Sequence, residues 1–561
     1  MRTVLALWVV AMSVLPALGG TYTNPIISAD IPDPDVIRVG TDYYMTSSSF
    51  NLTPGLPVYH SEDLVHWTII GHALERNPPA LYTFQGRTAD QLDYDRPRLG
   101  QGVYAPSIRH HDGYFWIYWA DPDAGVYMVK ARNPAGPWSE PVLVHKAHGW
   151  IDPSPLWDEA TGKAYLTYAF ARSRAGVNGL INVSEMSWDG TRLIGEPVTV
   201  FAVGRREFPS DRVHTTIEGP KFMKLGDFYY ILCPAGGVRF GWQTVLRAEH
   251  PMGPYEIRTV CETGRTNVNG PHQGGLVDTP DGRWWFIHFQ DVGTLGRIIW
   301  LQPVVWNNDW PVIGVDANGD GIGNPVLQYE APLPFVKKAI QTSDDFSGEQ
   351  PGLQWQWAAN PQEGWARVEK GELIMPAQWT GRKPLVEVPG VLSQVFPGYR
   401  FSATVNMKLE GADADVRAGL VVLGTKSFDI GVQPAGETQR LSVRYQLTEL
   451  ASAVVPAGRL WLRLDTDGEL PLPLKPRSLA RTGPAEPYQV EDRSPFNGQI
   501  TGQFSYSLDG VDFVEIGPGF EARPGRWIGA RVGLFSIKEH AESSGTLRAD
   551  SFEVSIQGAD E

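Results

Sequence analysis

The sequence predicts an all-β protein with two domains, a five-bladed β-propeller followed by a β-sandwich. Three observations support this prediction. The first half contains a degenerate repeat of about 60 residues, the second half alternates apolar and polar residues with period two, and helical periodicity is scarce throughout. The chain has 561 residues, enough for two hydrophobic cores, and its 60 glycines and 45 prolines fit a fold with many turns.

Each repeat contains a Gly/Asp turn followed by a strand rich in aromatic residues. The turn glycines are Gly40, Gly113, Gly162, Gly226 and Gly282. Shortly before each turn, a small or polar residue stands beside Pro or Gly at the start of an apolar run. The five instances are Pro32-Asp33-Pro34, Ala105-Pro106-Ser107, Asp152-Pro153-Ser154, Glu218-Gly219-Pro220 and Pro271-His272-Gln273. Each unit therefore begins with a hairpin, and five units of about four strands each predict five blades.

The innermost strand of a propeller blade lies next to the central axis. Residues at the start of these strands therefore converge at one end of the central channel. The repeat predicts that Asp33, Asp152, Glu218 and His272, from four different blades, share one pocket.

The repeat ends near Tyr329, where prolines mark a connector. From about Asp345 the residues alternate in strand-like segments, including candidates at 401–407, 441–445, 504–508, 527–535 and 547–555. Residues 471–495, rich in Pro and charge, predict a long surface loop. We expect a signal peptide at 1–20, a catalytic propeller at 21–335 and a sandwich at 336–561.

The N-terminus has the features of a secretory signal, and the alternative is a buried N-terminal helix or strand. Arg2 precedes an apolar stretch at residues 4–14, and Ala17-Leu18-Gly19 supplies small residues for cleavage. No later stretch approaches 18 consecutive apolar residues. We therefore expect a secreted or periplasmic protein that is soluble and does not act at a membrane.

Composition excludes several functions. Lys and Arg number 48 and Asp and Glu 63, so the net charge of −15 argues against binding nucleic acid or anionic lipid. Two cysteines, Cys233 and Cys261, cannot form a disulfide scaffold, and they are either one bridge or two separate buried thiols. The sequence contains no P-loop, dinucleotide fingerprint or nucleophile elbow.

Three carboxylates carry the strongest chemical signal. Asp33, Asp152 and Glu218 stand among apolar and aromatic neighbours, where an unpaired charge is costly. Two opposed carboxylates are what cleavage of a glycosidic bond requires, and a third can tune the acid. Each could instead be a turn residue, but their recurrence at equivalent points of the repeat favours a shared function.

The sequence resembles glycoside hydrolase family 43, the β-xylosidases and α-L-arabinofuranosidases, over residues 24–330. The matching stretches include Pro32-Asp33-Pro34-Asp35, His60-Ser61-Glu62-Asp63-Leu64, Tyr104-Ala105-Pro106-Ser107, Ile151-Asp152-Pro153-Ser154, Glu218-Gly219-Pro220 and Gly296-Arg297. The distal part is similar to the concanavalin-A-like (jelly-roll) β-sandwich of the xylosidase-type members. Tyr104 departs from the tryptophan usual at this position, which leaves the fine sugar specificity open.

The resemblance implies roles for individual residues. Asp33 would be the general base that activates water, Glu218 the general acid, and Asp152 the residue that orients this acid and modulates its pKa. Water would attack directly and invert the anomeric carbon, which requires a base and an acid about 6.5–9.5 Å apart. Four further positions match residues lining the family's pocket: Phe50, Tyr104, His272 and Arg297.

Metal binding is a secondary expectation. Some relatives hold calcium near the histidine equivalent to His272, largely through water. The resemblance therefore allows a structural calcium ion, and it implies no required cofactor. Residues 316–321 mimic the start of a calcium loop, but Leu327 replaces the essential glutamate, so they predict a turn.

We therefore expect an exo-acting glycosidase that releases terminal xylose from xylo- or arabinoxylo-oligosaccharides. The near alternative is an α-L-arabinofuranosidase or a bifunctional enzyme. The alternative of a different class is a carbohydrate-binding propeller without catalysis, which would be expected to lack one of the three carboxylates.

Overall fold

A computed structural model of the chain describes residues 20–82, 93–264, 266, 268, 270–470 and 499–557. Regular structure in this part of the chain consists of 38 strands, one short helix, α1 (Arg172–Ala175), and one 3-10 turn (Leu385–Glu387), so the predicted all-β class is confirmed. None of its helices is long and apolar enough to cross a membrane. Most of the predicted signal sequence and the predicted loop at 471–495 lie outside the described residues.

The propeller consists of five four-stranded antiparallel sheets, each built from one continuous stretch of chain. A short strand, β1 (Thr21–Thr23), precedes them. Blade 1 contains β2 (Asp35–Val39), β3 (Asp42–Thr46), β4 (Gly55–Ser61) and β5 (Thr68–Leu74), and blade 2 contains β6 (Tyr104–His111), β7 (Tyr114–Asp121), β8 (Gly125–Ala131) and β9 (Val142–Lys146). Blade 3 contains β10 (Trp150–Asp158), β11 (Lys163–Phe170), β12 (Leu180–Met186) and β13 (Val198–Ala202). Blade 4 contains β14 (Lys221–Leu225), β15 (Phe228–Ala235), β16 (Trp242–Ala248) and β17 (Glu256–Cys261), and blade 5 contains β18 (His272–Asp278), β19 (Trp284–Asp291), β20 (Arg297–Asn307) and β21 (Trp310–Ile313).

The five predicted glycine turns each join the first and second strands of a blade. Gly40, Gly113, Gly162, Gly226 and Gly282 all have positive φ, a conformation that glycine adopts without steric cost. The aromatic strands that follow supply much of the packing between blades. The five-bladed architecture inferred from the repeat is therefore confirmed.

A residue in the left-handed conformation marks the entry to the innermost strand of every blade. These residues are Asp33 (φ 53°), Ala105 (φ 24°), Asp152 (φ 58°), Gly219 (φ 60°) and Gln273 (φ 43°). Proline follows in four blades and Gly274 in the fifth. In blades 2, 3 and 5 the strand register shifts at this point, so the backbone leaves regular ladder pairing where the blades meet the axis.

The ring closes where the innermost strands of blades 5 and 1 touch. A Cβ built on Gly275 would lie 2.8 Å from Asp35 Oδ1 and 3.0 Å from the Val36 nitrogen. β1 pairs with β22 (Gln328–Glu330), which ties the start of the propeller segment to its end.

Two eight-stranded sheets form the C-terminal sandwich. The first contains β23 (Gln356–Trp357), β26 (Gln378–Trp379), β27 (Leu392–Val395), β29 (Val416–Leu423), β30 (Ser427–Ala435), β31 (Thr438–Tyr445), β32 (Thr448–Pro456) and β37 (Arg531–Lys538). The second contains β24 (Arg367–Glu369), β25 (Glu372–Pro376), β28 (Phe401–Glu410), β33 (Leu460–Gly468), β34 (Ile500–Ser507), β35 (Val514–Glu515), β36 (Phe520–Glu521) and β38 (Thr546–Ile556). Their inward-facing residues enclose one core, with Val405, Leu420, Leu462 and Leu534 fully buried.

The sandwich packs directly on the propeller. Thr53 Oγ1 donates to the Ala359 carbonyl at 2.5 Å, and Asn51 Nδ2 donates to the Ala358 carbonyl at 2.6 Å. Propeller residues such as Trp300 belong to the same buried apolar cluster as the sandwich core. The two domains therefore share a continuous hydrophobic contact.

Both cysteines lie in blade 4. Cys233 is on β15 and Cys261 on β17, and both are buried free thiols. Of the two alternatives drawn from the sequence, two separate thiols is therefore the one observed.

The substitution Gly275→Ala should destabilise the propeller. The added methyl group would press against the backbone of blade 1, and such overpacking costs about 1–3 kcal/mol. Urea unfolding followed by tryptophan fluorescence measures the loss. Gly195→Ala is the matched control because its Cβ would make only ordinary contacts with Glu185, at 3.5 Å and beyond. Equal unfolding midpoints for the two variants would contradict the tight closure of the ring.

Candidate active site

All five blades and the sandwich contribute to one cavity of about 570 Å³. Asp33 and Phe50 come from blade 1, Tyr104 from blade 2, Asp152 from blade 3, Glu218 from blade 4, Gln273 and Arg297 from blade 5, and Arg526 and Trp527 from the sandwich. The structure thus brings the three predicted carboxylates together at the propeller axis.

Asp33 is buried and accepts hydrogen bonds on both carboxylate oxygens. Arg297 Nη1 donates to Oδ1 at 2.7 Å, and Ser48 Oγ donates to Oδ2 at 2.6 Å. Ser48 Oγ in turn accepts from the Ala105 amide at 2.7 Å, so blade 2 also holds the serine in place. Blades 1, 2 and 5 together fix the orientation of this carboxylate.

Asp152 is also buried, and its Oδ2 accepts a hydrogen bond from the Gly219 amide at 2.8 Å. Because Gly219 directly follows Glu218, this bond holds the backbone that carries Glu218. Burial raises the pKa of Asp152 well above its ordinary value, and the negative charges of Glu218 and Asp33 raise it further. Asp152 therefore retains a proton more strongly than an isolated carboxyl group does.

Glu218 is the most accessible of the three carboxylates, with 22% of its side chain exposed. Its Oε1 lies 3.3 Å from Nε2 of His272. His272 is fully buried and does not line the cavity, so it contacts Glu218 from the protein interior. The structure therefore places His272 as a support for Glu218 rather than in the cavity wall.

Arg297 lines the cavity and is 5% exposed. Besides its bond to Asp33, its guanidinium lies 4.8 Å from the centre of the Phe289 ring. Its Nε is buried without a hydrogen-bond partner. Arg297 is thus an ion-pair partner of Asp33 in the wall of the cavity.

The predicted aromatic residues form one wall. The rings of Phe50 and Tyr104 meet edge to face with centroids 5.2 Å apart. Phe50 is only 2% exposed, whereas Tyr104 is half-buried and donates through its hydroxyl to the Gly100 carbonyl at 2.5 Å. Both residues line the cavity, and Tyr104 offers the larger accessible surface.

A polar network fills the axis next to the cavity. Arg109 on β6 donates to Asp35 Oδ2 at 2.6 Å, to Ser154 Oγ at 2.7 Å and to the Phe222 carbonyl at 3.2 Å, so it joins four blades. The fully enclosed Lys221 ammonium donates to the Pro106 carbonyl at 2.6 Å, and burial lowers its pKa. None of these side chains lines the cavity, which is therefore closed along the axis on this side.

The sandwich supplies part of the rim through a loop that the sequence did not identify. The alternation of residues 527–535 predicted a strand, but β37 begins only at Arg531. Trp527 instead has φ 68°, is 41% exposed and faces the cavity. The alternation of side chains could not reveal this loop, because contacts with the propeller set the conformation of the loop.

Asp30 anchors this loop to the active-site strand. Its Oδ1 accepts from the Arg297 amide at 2.7 Å and its Oδ2 from the Gly529 amide at 2.9 Å. Burial raises the pKa of Asp30 to about 6, although both amides and nearby arginines favour its charged form. One buried carboxyl group therefore links the catalytic pocket to the rim loop.

Gln273 is a further residue that the sequence analysis did not select. It has φ 43°, lines the cavity, and its Nε2 is buried without a partner. The only sequence signal was its place at the equivalent point of the fifth repeat.

The structure does not show the expected calcium ion. The described residues contain no group of three or more His, Cys, Asp or Glu side chains suited to a metal ion. Near His272, the one acidic side chain in hydrogen-bond contact is Glu218, whereas calcium requires several oxygen ligands. In the predicted turn, Asp316 accepts the amides of Asn318, Gly319 and Gly321, which is the geometry of a loop stabilised by its own backbone.

A pocket with carboxylates on separate blades and an aromatic wall has the features needed to cleave a glycosidic bond. Fold and site together define a glycoside hydrolase. Residues 22–311 match the family model "Glycosyl hydrolases family 43", and residues 343–472 match "Beta xylosidase C-terminal Concanavalin A-like domain". The chain belongs to glycoside hydrolase family 43.

Known proteins support this assignment. The "Beta-xylosidase" of Formosa agariphila is 30% identical, and the match covers 96% of this chain and 91% of that protein. The "Non-reducing end alpha-L-arabinofuranosidase BoGH43B" of Bacteroides ovatus is 35% identical over 62% of this chain and 64% of its own. The crystal structure of the family-43 protein BlXynB from Bacillus licheniformis superposes with a TM-score of 0.75, 25% identity, and coverage of 96% of this chain and 100% of that chain.

The substitution Asp30→Asn should flatten the pH dependence of stability. Because the pKa of Asp30 is raised to about 6 from 3.8, its stabilising contribution is complete below pH 3.8 and is lost as pH rises through 6. The loss amounts to about 3 kcal/mol, at 1.36 kcal/mol per pKa unit, and an asparagine cannot show it. Urea unfolding at several pH values between 4 and 7 measures both slopes. Asp512→Asn, at an exposed carboxylate, is the control, and parallel profiles for wild type and Asp30→Asn would contradict the prediction.

Proposed function

We propose that this family-43 enzyme releases terminal xylose from the non-reducing end of xylo-oligosaccharides with inversion of configuration. In this proposal Asp33 is the general base, Glu218 is the general acid and Asp152 orients the acid. The observation that carries it is the convergence of these three carboxylates in a cavity closed along the propeller axis.

The surroundings of Asp33 suit a base. Arg297 and Ser48 donate to its two oxygens, which is the arrangement of an ionised carboxylate. An ionised carboxylate can accept the proton of a water molecule as that water attacks the anomeric carbon.

The surroundings of Glu218 suit an acid. It is more accessible than Asp33 and Asp152, and His272 contacts only one of its oxygens, at 3.3 Å. Its other oxygen is free to donate a proton to the leaving oxygen. Asp152 supports this step by holding the Gly219 amide and by adding a negative charge that helps retain the proton in the site.

Exo-action is supported by the shape of the site. The Arg109 network closes the axis, and the loop carrying Trp527 narrows the mouth from the sandwich side. A terminal sugar can enter such a pocket, whereas the middle of a polysaccharide chain cannot pass through it. The rest of an oligosaccharide would then lie along the rim as the leaving group.

The choice of xylose is supported by the relatives named as β-xylosidases and by the match of residues 343–472 to a xylosidase-type domain. The alternative of an α-L-arabinofuranosidase or a bifunctional enzyme is supported by the arabinofuranosidase relative. Hydrolysis of 4-nitrophenyl β-D-xylopyranoside and 4-nitrophenyl α-L-arabinofuranoside by the purified protein distinguishes these activities.

A secreted or periplasmic location is part of the proposal, supported by the apolar stretch and small residues near the N-terminus. The assignment of residues 21–335 as the catalytic domain and 336–561 as its sandwich is supported by the order of the sheets. No catalytic step requires a metal ion or an organic cofactor.

Leaving-group dependence should distinguish the acid from the base. Glu218→Gln should lower kcat/KM on xylobiose by at least about a hundredfold, because a poor leaving group needs protonation. The loss should be much smaller on 2,4-dinitrophenyl β-xyloside, whose leaving group departs without a proton. Initial rates on both substrates measure the difference.

Asp33→Asn is the matched comparison, because loss of the base should slow both substrates to a similar extent. NMR of the first sugar formed by wild type should show α-xylose from a β-xyloside. Equal losses on the two substrates for Glu218→Gln, or β-xylose as the first product, would overturn the assigned roles.

Removing the charge of Asp152 should shift the pH profile of activity. In Asp152→Asn the negative neighbour that helps retain the shared proton is gone, so the alkaline limb of kcat/KM should move to lower pH. Profiles of kcat/KM on xylobiose for wild type and variant measure the shift. A uniform loss of activity with an unchanged limb would show that Asp152 acts through geometry alone.

A further inference from the structure

The mouth of the cavity is positively charged although the chain carries a net charge of −15. Apart from the three carboxylates, the charged residues that line the cavity are all arginines. They are Arg172, Arg174, Arg297 and Arg526. Four cationic side chains therefore line the cavity of an acidic protein.

Two of these arginines have evident partners within the protein. Arg297 is bound to Asp33 at 2.7 Å, and Arg174 pairs with the fully buried Asp123 at 3.1 Å. Arg172 and Arg526 are exposed, and they form no ion pair with any acidic side chain in the described part of the chain. Among the described residues, these two arginines of the cavity lining therefore have no anionic partner.

These two guanidiniums come from different domains. Arg172 begins the short helix α1 between the second and third strands of blade 3. Arg526 belongs to the rim loop, and its guanidinium lies 4.5 Å from the centre of the Trp527 ring. A Cβ on Gly100 would fall 2.3 Å from Arg526 Cγ, so the stem of this side chain is pressed against the propeller. Arg526 is therefore held at the rim by its own packing.

Binding of a neutral sugar does not require two positively charged guanidinium groups. A hydroxyl group carries no charge, so any hydrogen-bonding group satisfies it and no counter-charge is needed. A planar guanidinium matches a carboxylate with two parallel hydrogen bonds, and unpaired cations at a cleft attract anionic ligands. The charges at the mouth are thus suited to a saccharide that carries a carboxylate.

We propose that the rim binds a uronic-acid carboxylate on the leaving-group portion of a xylo-oligosaccharide, with Arg172 and Arg526 as specificity-determining residues. The inference rests on the proposed function, because the terminal sugar must occupy the pocket while the acidic substituent remains at the mouth. The preferred substrates would be acidic fragments, which an enzyme that cleaves a uronic-acid-substituted xylan must supply.

The test compares two ligands that differ only in charge. One is a xylo-oligosaccharide with a glucuronosyl branch next to the terminal xylose, and the other is the same compound with its carboxyl group reduced to an alcohol. Calorimetric titration of Glu218→Gln, which should not hydrolyse them, should give about three- to tenfold tighter binding of the acid at low salt. The difference should shrink in 0.5 M NaCl because salt screens exposed charges.

Charge-removing variants assign the effect to the two arginines. Adding Arg172→Gln or Arg526→Gln to Glu218→Gln should reduce the ratio of the two affinities, and adding both should bring it close to one. Arg367→Gln is the matched control, because this exposed arginine of the sandwich does not line the cavity. Equal binding of the two ligands, or a ratio that persists without both arginines, would overturn the inference.

Hydrolysis by wild type reports separately on the proposed function. Release of xylose from both ligands supports that function, whatever the ratio of their rates. If neither is cleaved, the proposed function fails, whereas the charge preference is still decided by the binding ratio.

Discussion

The structure depends on one backbone constraint that recurs at the entry to each innermost strand. A residue there takes the left-handed conformation, and a proline or glycine follows it before regular pairing begins. For Asp33 and Asp152 this conformation is strained, since residues with a side chain seldom adopt it. Packing of the ring maintains this strained conformation. The conformation directs the chain at the axis, so that blades 1, 3 and 4 present their carboxylates there.

The three carboxylates can lie in one cavity because the cost of placing each one there is offset in a different way. Asp33 is paired with Arg297, Asp152 accepts an amide, and Glu218 retains access to the cavity. Burial and the nearby charges of Glu218 and Asp33 raise the pKa of Asp152. The crowding of the three carboxylates therefore favours the protonated form of Asp152.

The sandwich is part of the active site and not only an appendage. Asp30 accepts hydrogen bonds from the amides of both Arg297 and Gly529, so the rim loop is attached to the strand that carries Arg297, the partner of Asp33. Trp527 and Arg526 reach the cavity only because of this attachment and the close contact with Gly100. The geometry at the mouth therefore depends on both domains together.

The sequence by itself determined the architecture and the identity of the three carboxylates. Glycine turns, aromatic strands and the recurring Pro or Gly at strand entries are local signals. They occur in each of the five repeats, which makes the pattern recognisable along the chain. The tertiary structure decided what depends on long-range contact: that His272 lies behind Glu218, that residues 527–530 form a rim loop instead of the start of a strand, and that Asp30 and Ser48 support the site. These features have no periodic pattern along the chain, because each is created by a residue more than ten positions away or in another domain.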